Sequence, residues 1–257
     1  MRLGNKTAII TGGSSGIGGA IATAFAKEGA SVMITARTES ALKEKREELA
    51  DLSPSADYIA GDVSKEIEAR HIVQTTKERF GSVDILVNAA GMTKVSPAET
   101  LSLNEWNQCM DINSTGTFLM SQQAGQKMIE QGTGGKVINI TSIVAHAGIP
   151  KRAAYAASKG AVRQLTETLA LEWGKHNIQV NAISPGYVRT PIFDDLVKKG
   201  VHDPSQLEDR IPLGRLANVD DMAGPALFLA SSESDYVTGV ILKVDGGWLV
   251  NGHLSAQ

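Results

Sequence analysis

Short apolar runs rich in β-branched residues alternate along this chain with longer stretches in which apolar positions recur at helical spacing. The short runs are Thr7 to Thr11 (TAIIT), Ala30 to Ala36 (ASVMITA), Asp57 to Ala60, Val83 to Asn88 (VDILVN), Val137 to Ile140, Ile178 to Ile183 and Val240 to Val244. Each reads as a strand buried on both faces, because the apolar residues are continuous rather than alternating. Between them fall helical patterns: AIATAFAKEG, the charged ESALKEKREELADL, a segment ending at Arg79, a long one from Asn104 to Glu130, the stretch holding Tyr155 to Trp173, and one within Leu213 to Ala230. Strand and helix in strict alternation predict an α/β fold, a doubly wound seven-stranded parallel sheet with helices on both faces. No linker, repeat or low-complexity tract interrupts the pattern, so one domain over residues 1–257 is expected. The least regular part, Tyr187 to Asn218, carries Pro191, Pro204 and Pro212 around a short apolar helix pattern from Ile192 to Val197. A loop of that length in a compact domain is expected to be a lid over a site.

Composition narrows the function classes. Hydrophobic residues make up 42% of the chain and charged residues 21%, the mix of a soluble globular protein. A net charge of −3 gives no electrostatic reason to expect nucleic acid or an anionic membrane as a partner. Cys109 is the single cysteine, which excludes an internal disulfide framework and any cysteine-based metal site; no metal is expected. With no signal-peptide pattern and no apolar run long enough to span a bilayer, the expected location is cytoplasmic.

Two stretches carry candidate chemistry. The first strand runs into Gly12-x-x-x-Gly16-x-Gly18 and then a helix. That order gives a tight turn, close backbone approach and the free N–H groups of a helix N-terminus, which suit a pyrophosphate. The second stretch places Tyr155 and Lys159 one helical turn apart, with Ser142 just past the strand that ends at Ile140. An ammonium about 5 Å from a phenol, at an effective dielectric near 20, favours the phenolate by roughly 3 kcal/mol. That is on the order of two pKa units, enough to bring a tyrosine into acid–base range. Either pattern alone also occurs as a plain turn or a solvated surface pair.

The motifs taken jointly settle that ambiguity. TGGSSGIG at 11–18, Asp62-Val63, Asn88-Ala89-Ala90-Gly91, Asn113, Ser142, YAASK at 155–159, Pro185-Gly186, Thr190 and Asp245-Gly246-Gly247 recur in order over essentially the whole chain. In this the chain resembles the short-chain dehydrogenases/reductases, whose fold is a single Rossmann domain. The resemblance implies a catalytic set of Asn113, Ser142, Tyr155 and Lys159. Tyr155 would be the acid in carbonyl reduction and the base in alcohol oxidation. Lys159 would lower its pKa and hold the nicotinamide ribose, Ser142 would hydrogen-bond the substrate oxygen, and Asn113 would seat a proton-relay water. For the cofactor the resemblance implies Gly12, Ser14, Ser15, Gly16, Ile17 and Gly18 on the phosphates and Asp62 and Val63 beside the adenine. It implies Asn88, Ala90 and Gly91 on the floor, and Pro185, Gly186, Val188 and Thr190 about the nicotinamide, with Tyr155 and Lys159 also in contact. Ala89 departs from the usual Asn-Asn-Ala-Gly and puts local bracing of the sheet in doubt.

Charge points to the cofactor. NAD-binding folds place an acidic residue at the end of the second strand to hold the ribose hydroxyls. Here that place is Ala36, followed by Arg37 and Thr38, so a 2′-phosphate meets a guanidinium instead of a carboxylate. NADP(H) is therefore expected, although Ser15 is not the basic residue many NADP-dependent members carry. The substrate is expected to be a small molecule in a pocket formed by Ser142, Val144, His146, Arg152 and Tyr187, with Thr93 to Val95 nearby. The stretch EWGKHNIQVNAISPGY resembles sugar, polyol and sugar-acid dehydrogenases. The chain overall also resembles 3-oxoacyl-carrier-protein reductases, but Gln131 to Gly135 and Leu171 hold no arginine where those dock an acidic carrier. A cofactor-binding regulator without turnover is the reading from another class. The family's habit of pairing its central helices implies a homotetramer or homodimer, with Leu119, Met120, Leu165 and Leu169 as candidate apolar contacts.

Overall fold

A computed structural model of the protein describes residues 1–53 and 55–252. Seven parallel strands form one sheet in the order β3-β2-β1-β4-β5-β6-β7: β1 Thr7–Thr11, β2 Ser31–Ala36, β3 Ala56–Ala60, β4 Ile85–Asn88, β5 Gly135–Ile140, β6 Ile178–Pro185 and β7 Ile241–Val244. Successive side chains on a strand point to opposite faces, and the core divides accordingly. Ala8, Ile10, Val32, Ile34, Val87 and Ile138 meet α1 (Gly16–Lys27), α2 (Glu39–Ala50) and α9 (Ala223–Ala230) on one face. Ile9, Met33, Leu86 and Val137 meet α3 (Glu66–Phe80), α5 (Gly116–Gln131) and α6 (Ala153–Trp173) on the other. Both faces are thus covered, which is why the strands read as unbroken apolar runs. Among the described residues no helix is long and apolar enough to cross a membrane.

The strand order reverses between β1 and β4, the pair registered from Ala8↔Ile85 to Thr11↔Asn88. In open parallel sheets a crevice forms outside the carboxyl ends of the strands at such a crossover. Buried polar groups brace it. Thr11 Oγ1 accepts the amides of Ala89 and Ala90, each at 3.0 Å. Asn88 donates to Ser121 and to Asn139 at 2.9 Å, and Asn139 donates on to Thr166 at 2.9 Å. These neighbours brace the strand end around Ala89.

The helix expected from Asn104 to Glu130 is present, with one turn of different winding inside it. It comprises α4 (Leu103–Met110), one wide π-type turn (Asp111–Thr115) and α5. Asn113 causes the widening: its side chain turns inward, Oδ1 accepting from the Met92 amide at 2.8 Å and Nδ2 donating to the Met92 carbonyl at 2.9 Å. Nδ2 also lies 2.9 Å from the Ser158 hydroxyl on α6. A π-turn inside an α-helix commonly marks a functional position. Within Tyr187 to Asn218 lie α7 (Pro191–Lys198) and α8 (Pro204–Arg210), both beginning with proline at the first turn. Phe193, Ile211 and Leu216 from this segment pack with Ile143, Val144 and Trp248 in a third apolar cluster. The segment is therefore ordered structure docked on the body.

Candidate active site

One long cleft runs over the carboxyl edge of the sheet from the β1 turn to α7. Its first end is the glycine turn. Gly12 has φ +65°, and a side chain there would meet the Ala90 backbone at 2.9 Å. A Cβ at Gly18 would overlap the Gly12 carbonyl oxygen. Ser15 caps α1 without a side-chain hydrogen bond, so the first N–H groups of that helix stay open to an anion. Arg37 and Thr38 are exposed on the same cleft, and Arg37 has no ion-pair partner among the described residues. Asp62 sits opposite. Although burial opposes it, hydrogen bonds from the Ser64 hydroxyl at 2.7 Å and amide at 3.0 Å hold its carboxyl below the ordinary range, helped by the charges of Lys65 and Arg37.

The middle of the cleft carries the acid–base groups. Ser142 follows β5 directly, and α6 presents Tyr155 and Lys159 toward it. Burial pushes the Tyr155 phenol up, while the Ser142 hydroxyl and the charge of Arg152 pull it back. Lys159 is buried and pulled down to about 8 by desolvation. Its Nζ donates to the Ile140 carbonyl at 2.7 Å and lies 5.9 Å from the Tyr155 ring centre. The Arg152 charge thus also reaches the phenol, while the Lys159 ammonium beside the ring is hydrogen-bonded to the β5 carbonyl. A side chain at Gly91 would meet Asn113 Oδ1 at 3.2 Å and Lys159 Nζ at 3.6 Å, so both residues flank that glycine.

Most of the expected site residues meet in the cleft: Ser14, Gly16, Ile17, Val63, Ala90, Gly91, Val144, Arg152, Pro185, Gly186, Tyr187, Val188 and Thr190 line it beside those already described. Three do not. Asn88 is committed to Ser121 and Asn139 within the sheet and does not reach the floor. Asn113 is fully buried one layer below. His146 does not line the cleft; it lies near Arg163, Lys243 and Asp245, with burial first and then the Arg163 and Lys243 charges lowering its pKa.

At the far end Arg152 is 7% exposed, donating to Thr93 Oγ1 at 2.8 Å and meeting His202 Nε2 at 2.9 Å. His202, from the turn between α7 and α8, was not singled out by the sequence. A lone histidine in a charged loop offers no periodic signal, and only folding stacks it on Phe193 (ring centres 5.6 Å) and edge-on to Tyr187 (5.3 Å). Trp248 closes this wall, 4.8 Å from the Tyr187 ring and beneath the Arg210 guanidinium at 4.2 Å.

A glycine turn feeding a bare helix terminus, continuous with a serine–tyrosine–lysine cluster, is the equipment of a dinucleotide-dependent oxidoreductase. Known proteins agree. A family profile described as enoyl-(acyl carrier protein) reductase matches residues 12–249. A 2-dehydro-3-deoxy-D-gluconate 5-dehydrogenase of Dickeya dadantii is 40% identical over 248 residues, 96% of each chain. A D-threitol dehydrogenase of Mycolicibacterium smegmatis is 37% identical over 97% of this chain and 95% of its own. Among solved structures, a gluconate 5-dehydrogenase from Burkholderia cenocepacia in complex with NADP and tartrate superposes with a TM-score of 0.91 at 36% identity, covering 97% of both chains. The chain belongs to the short-chain dehydrogenase/reductase family and is an oxidoreductase acting on CH–OH groups.

Proposed function

We propose that this protein is an NADP(H)-dependent dehydrogenase of a secondary alcohol, or reductase of the matching ketone, in a small sugar, polyol or related hydroxy compound. The observation that carries this is the continuity of the cleft from the unpaired Arg37 to Tyr155. The residues present fit the cofactor: Gly12 and Gly18 leave room that any Cβ would fill, the α1 terminus offers N–H donors, and Arg37 stands where a 2′-phosphate would lie. When bound, NADP(H) supplies or accepts the hydride at C4 of its nicotinamide. The chain's own groups handle the proton. Ser142 hydrogen-bonds the substrate oxygen and holds it toward Tyr155. In oxidation the Tyr155 phenolate takes the hydroxyl proton, and in reduction the phenol returns it to the developing alkoxide. Lys159 places a charge beside both, and Asn113 fixes the Met92 backbone below Lys159. The relatives named for a sugar acid, a polyol and gluconate support this substrate class over an acyl carrier.

The reading extends to a cytoplasmic homotetramer with residues 187–218 as the lid. Leu103 on α4, Phe118 and Ile129 on α5 and Leu171 on α6 are exposed. Phe118 and Ile129 stand three helical turns apart on one face of α5, a stripe suited to a second copy. Of the four residues first considered, Met120 and Leu169 are buried in the core and Leu119 and Leu165 are half-buried against it.

The test is initial-rate kinetics with NADP+ and NAD+ on gluconate, sorbitol, threitol and rhamnose, with ketone counterparts and a 3-oxoacyl thioester run in reverse. Turnover of a hydroxy compound with NADP+ favoured at least tenfold is expected, and Tyr155→Phe should cut the rate by about a thousandfold or more while NADPH still binds. Equal rates with NAD+ would sink the cofactor assignment. Cofactor binding without turnover of any compound would favour a regulator.

A further inference from the structure

A guanidinium held in an apolar wall needs a counter-charge. Arg152 caps the start of α6 one turn before Tyr155, and its two contacts, the Thr93 hydroxyl and the His202 ring, are both uncharged acceptors. Burial, the largest influence on it, disfavours its charged form, and no carboxylate among the described residues pairs with it. The rings of this wall, Phe193 and Tyr187 against His202 and Trp248 behind Tyr187, offer no charge. Of the other cations toward this end, Lys94 pairs with Glu105 at 3.7 Å and Lys199 with Asp195 at 2.6 Å, while Arg210 lies over the Trp248 ring and Lys159 is turned to the Ile140 carbonyl.

We infer that Arg152, held in place by Thr93 and His202, receives a carboxylate of the substrate, so that the preferred substrates are hydroxy acids of the sugar-acid type rather than neutral polyols. The inference rests on the dehydrogenase reading for the position of the reacting carbon, but it concerns the other end of the molecule. A planar guanidinium matches a carboxylate's two oxygens and its single charge. A single buried guanidinium matches one carboxylate better than a phosphate ester, which carries nearly two negative charges. Since Arg152 and Tyr155 are one turn apart on α6, a carboxylate on Arg152 fixes how far along the substrate chain the oxidised hydroxyl lies.

The experiment is calorimetric titration of D-gluconate, D-sorbitol and sorbitol 6-phosphate into enzyme saturated with NADP+, for the wild type, Arg152→Gln and Arg152→Lys. It reads binding and needs no turnover, so it stands apart from failure of the catalytic assignment. Wild-type enzyme should bind gluconate at least tenfold more tightly than sorbitol or the phosphate. Arg152→Gln should abolish that difference and Arg152→Lys retain part of it. Sorbitol binding as tightly as gluconate in the wild type would overturn the inference. So would tighter binding of the phosphate ester, or an Arg152→Gln variant that weakens gluconate and sorbitol alike.

Discussion

At the residue scale, Lys159 shows a functional group held at a cost to stability. Desolvation takes its ammonium down to about 8, with the Ile140 carbonyl as its one hydrogen-bond partner among the described residues. That depression corresponds to roughly 3 kcal/mol of lost favour for the charged form. The folded value lies below that of the unfolded chain, so the unfolded chain binds more protons in between and stability rises with pH across that window. The cost is full below about 8 and gone above the ordinary lysine range. Lys159→Met should therefore stabilise the cofactor-free protein by on the order of 2 kcal/mol at pH 7, while abolishing turnover. The gain over wild type should shrink as the pH rises from 8 to above 10. Thermal melts of both proteins across that range check it; a variant less stable than wild type at pH 7 would contradict it.

At the scale of elements, the glycine turn is a piece of backbone packed against backbone. A methyl at Gly18 would overlap the Gly12 carbonyl, which the turn cannot move without shifting the Ala90 contact on its other side. Gly18→Ala should cost about 1–3 kcal/mol and weaken NADPH binding at least tenfold, measured by thermal melts and fluorescence titration; unchanged binding would mean the turn does not hold the phosphates. This turn was legible in the sequence because a strand, a glycine run and a helix are consecutive, and local spacing is what a sequence displays. The π-turn at Asp111–Thr115 was not, since its cause is the pairing of Asn113 with the Met92 backbone across the fold. Asn88 was misplaced for a related reason: the motif locates it at the strand end but does not show whether its amide points to the cleft or into the sheet. His146 and His202 exchanged importance because neither has a periodicity that could rank them.

At the scale of the whole molecule, seven strands, their parallel pairing and the two helical layers followed from unbroken apolar runs. The docking of α7 and α8 did not, as it rests on scattered side chains meeting Trp248 far along the chain. The exposed stripe on α4, α5 and α6 leads to a prediction at this scale. Light scattering at micromolar concentration should give four times the chain mass of 27.2 kDa, and Phe118→Lys should yield a smaller species; a wild-type monomer would refute the assembly.

The placement of Trp248 also orders events in time. The phosphate- and adenine-facing end of the cleft is drawn from residues up to Gly91, and β1, the first strand synthesised, leads into its glycine turn. The wall around Tyr187 awaits a residue near the very end of translation. A growing chain emerging from the ribosome, amino-terminal part first, thus acquires the means to hold one reactant well before it acquires the means to choose the other.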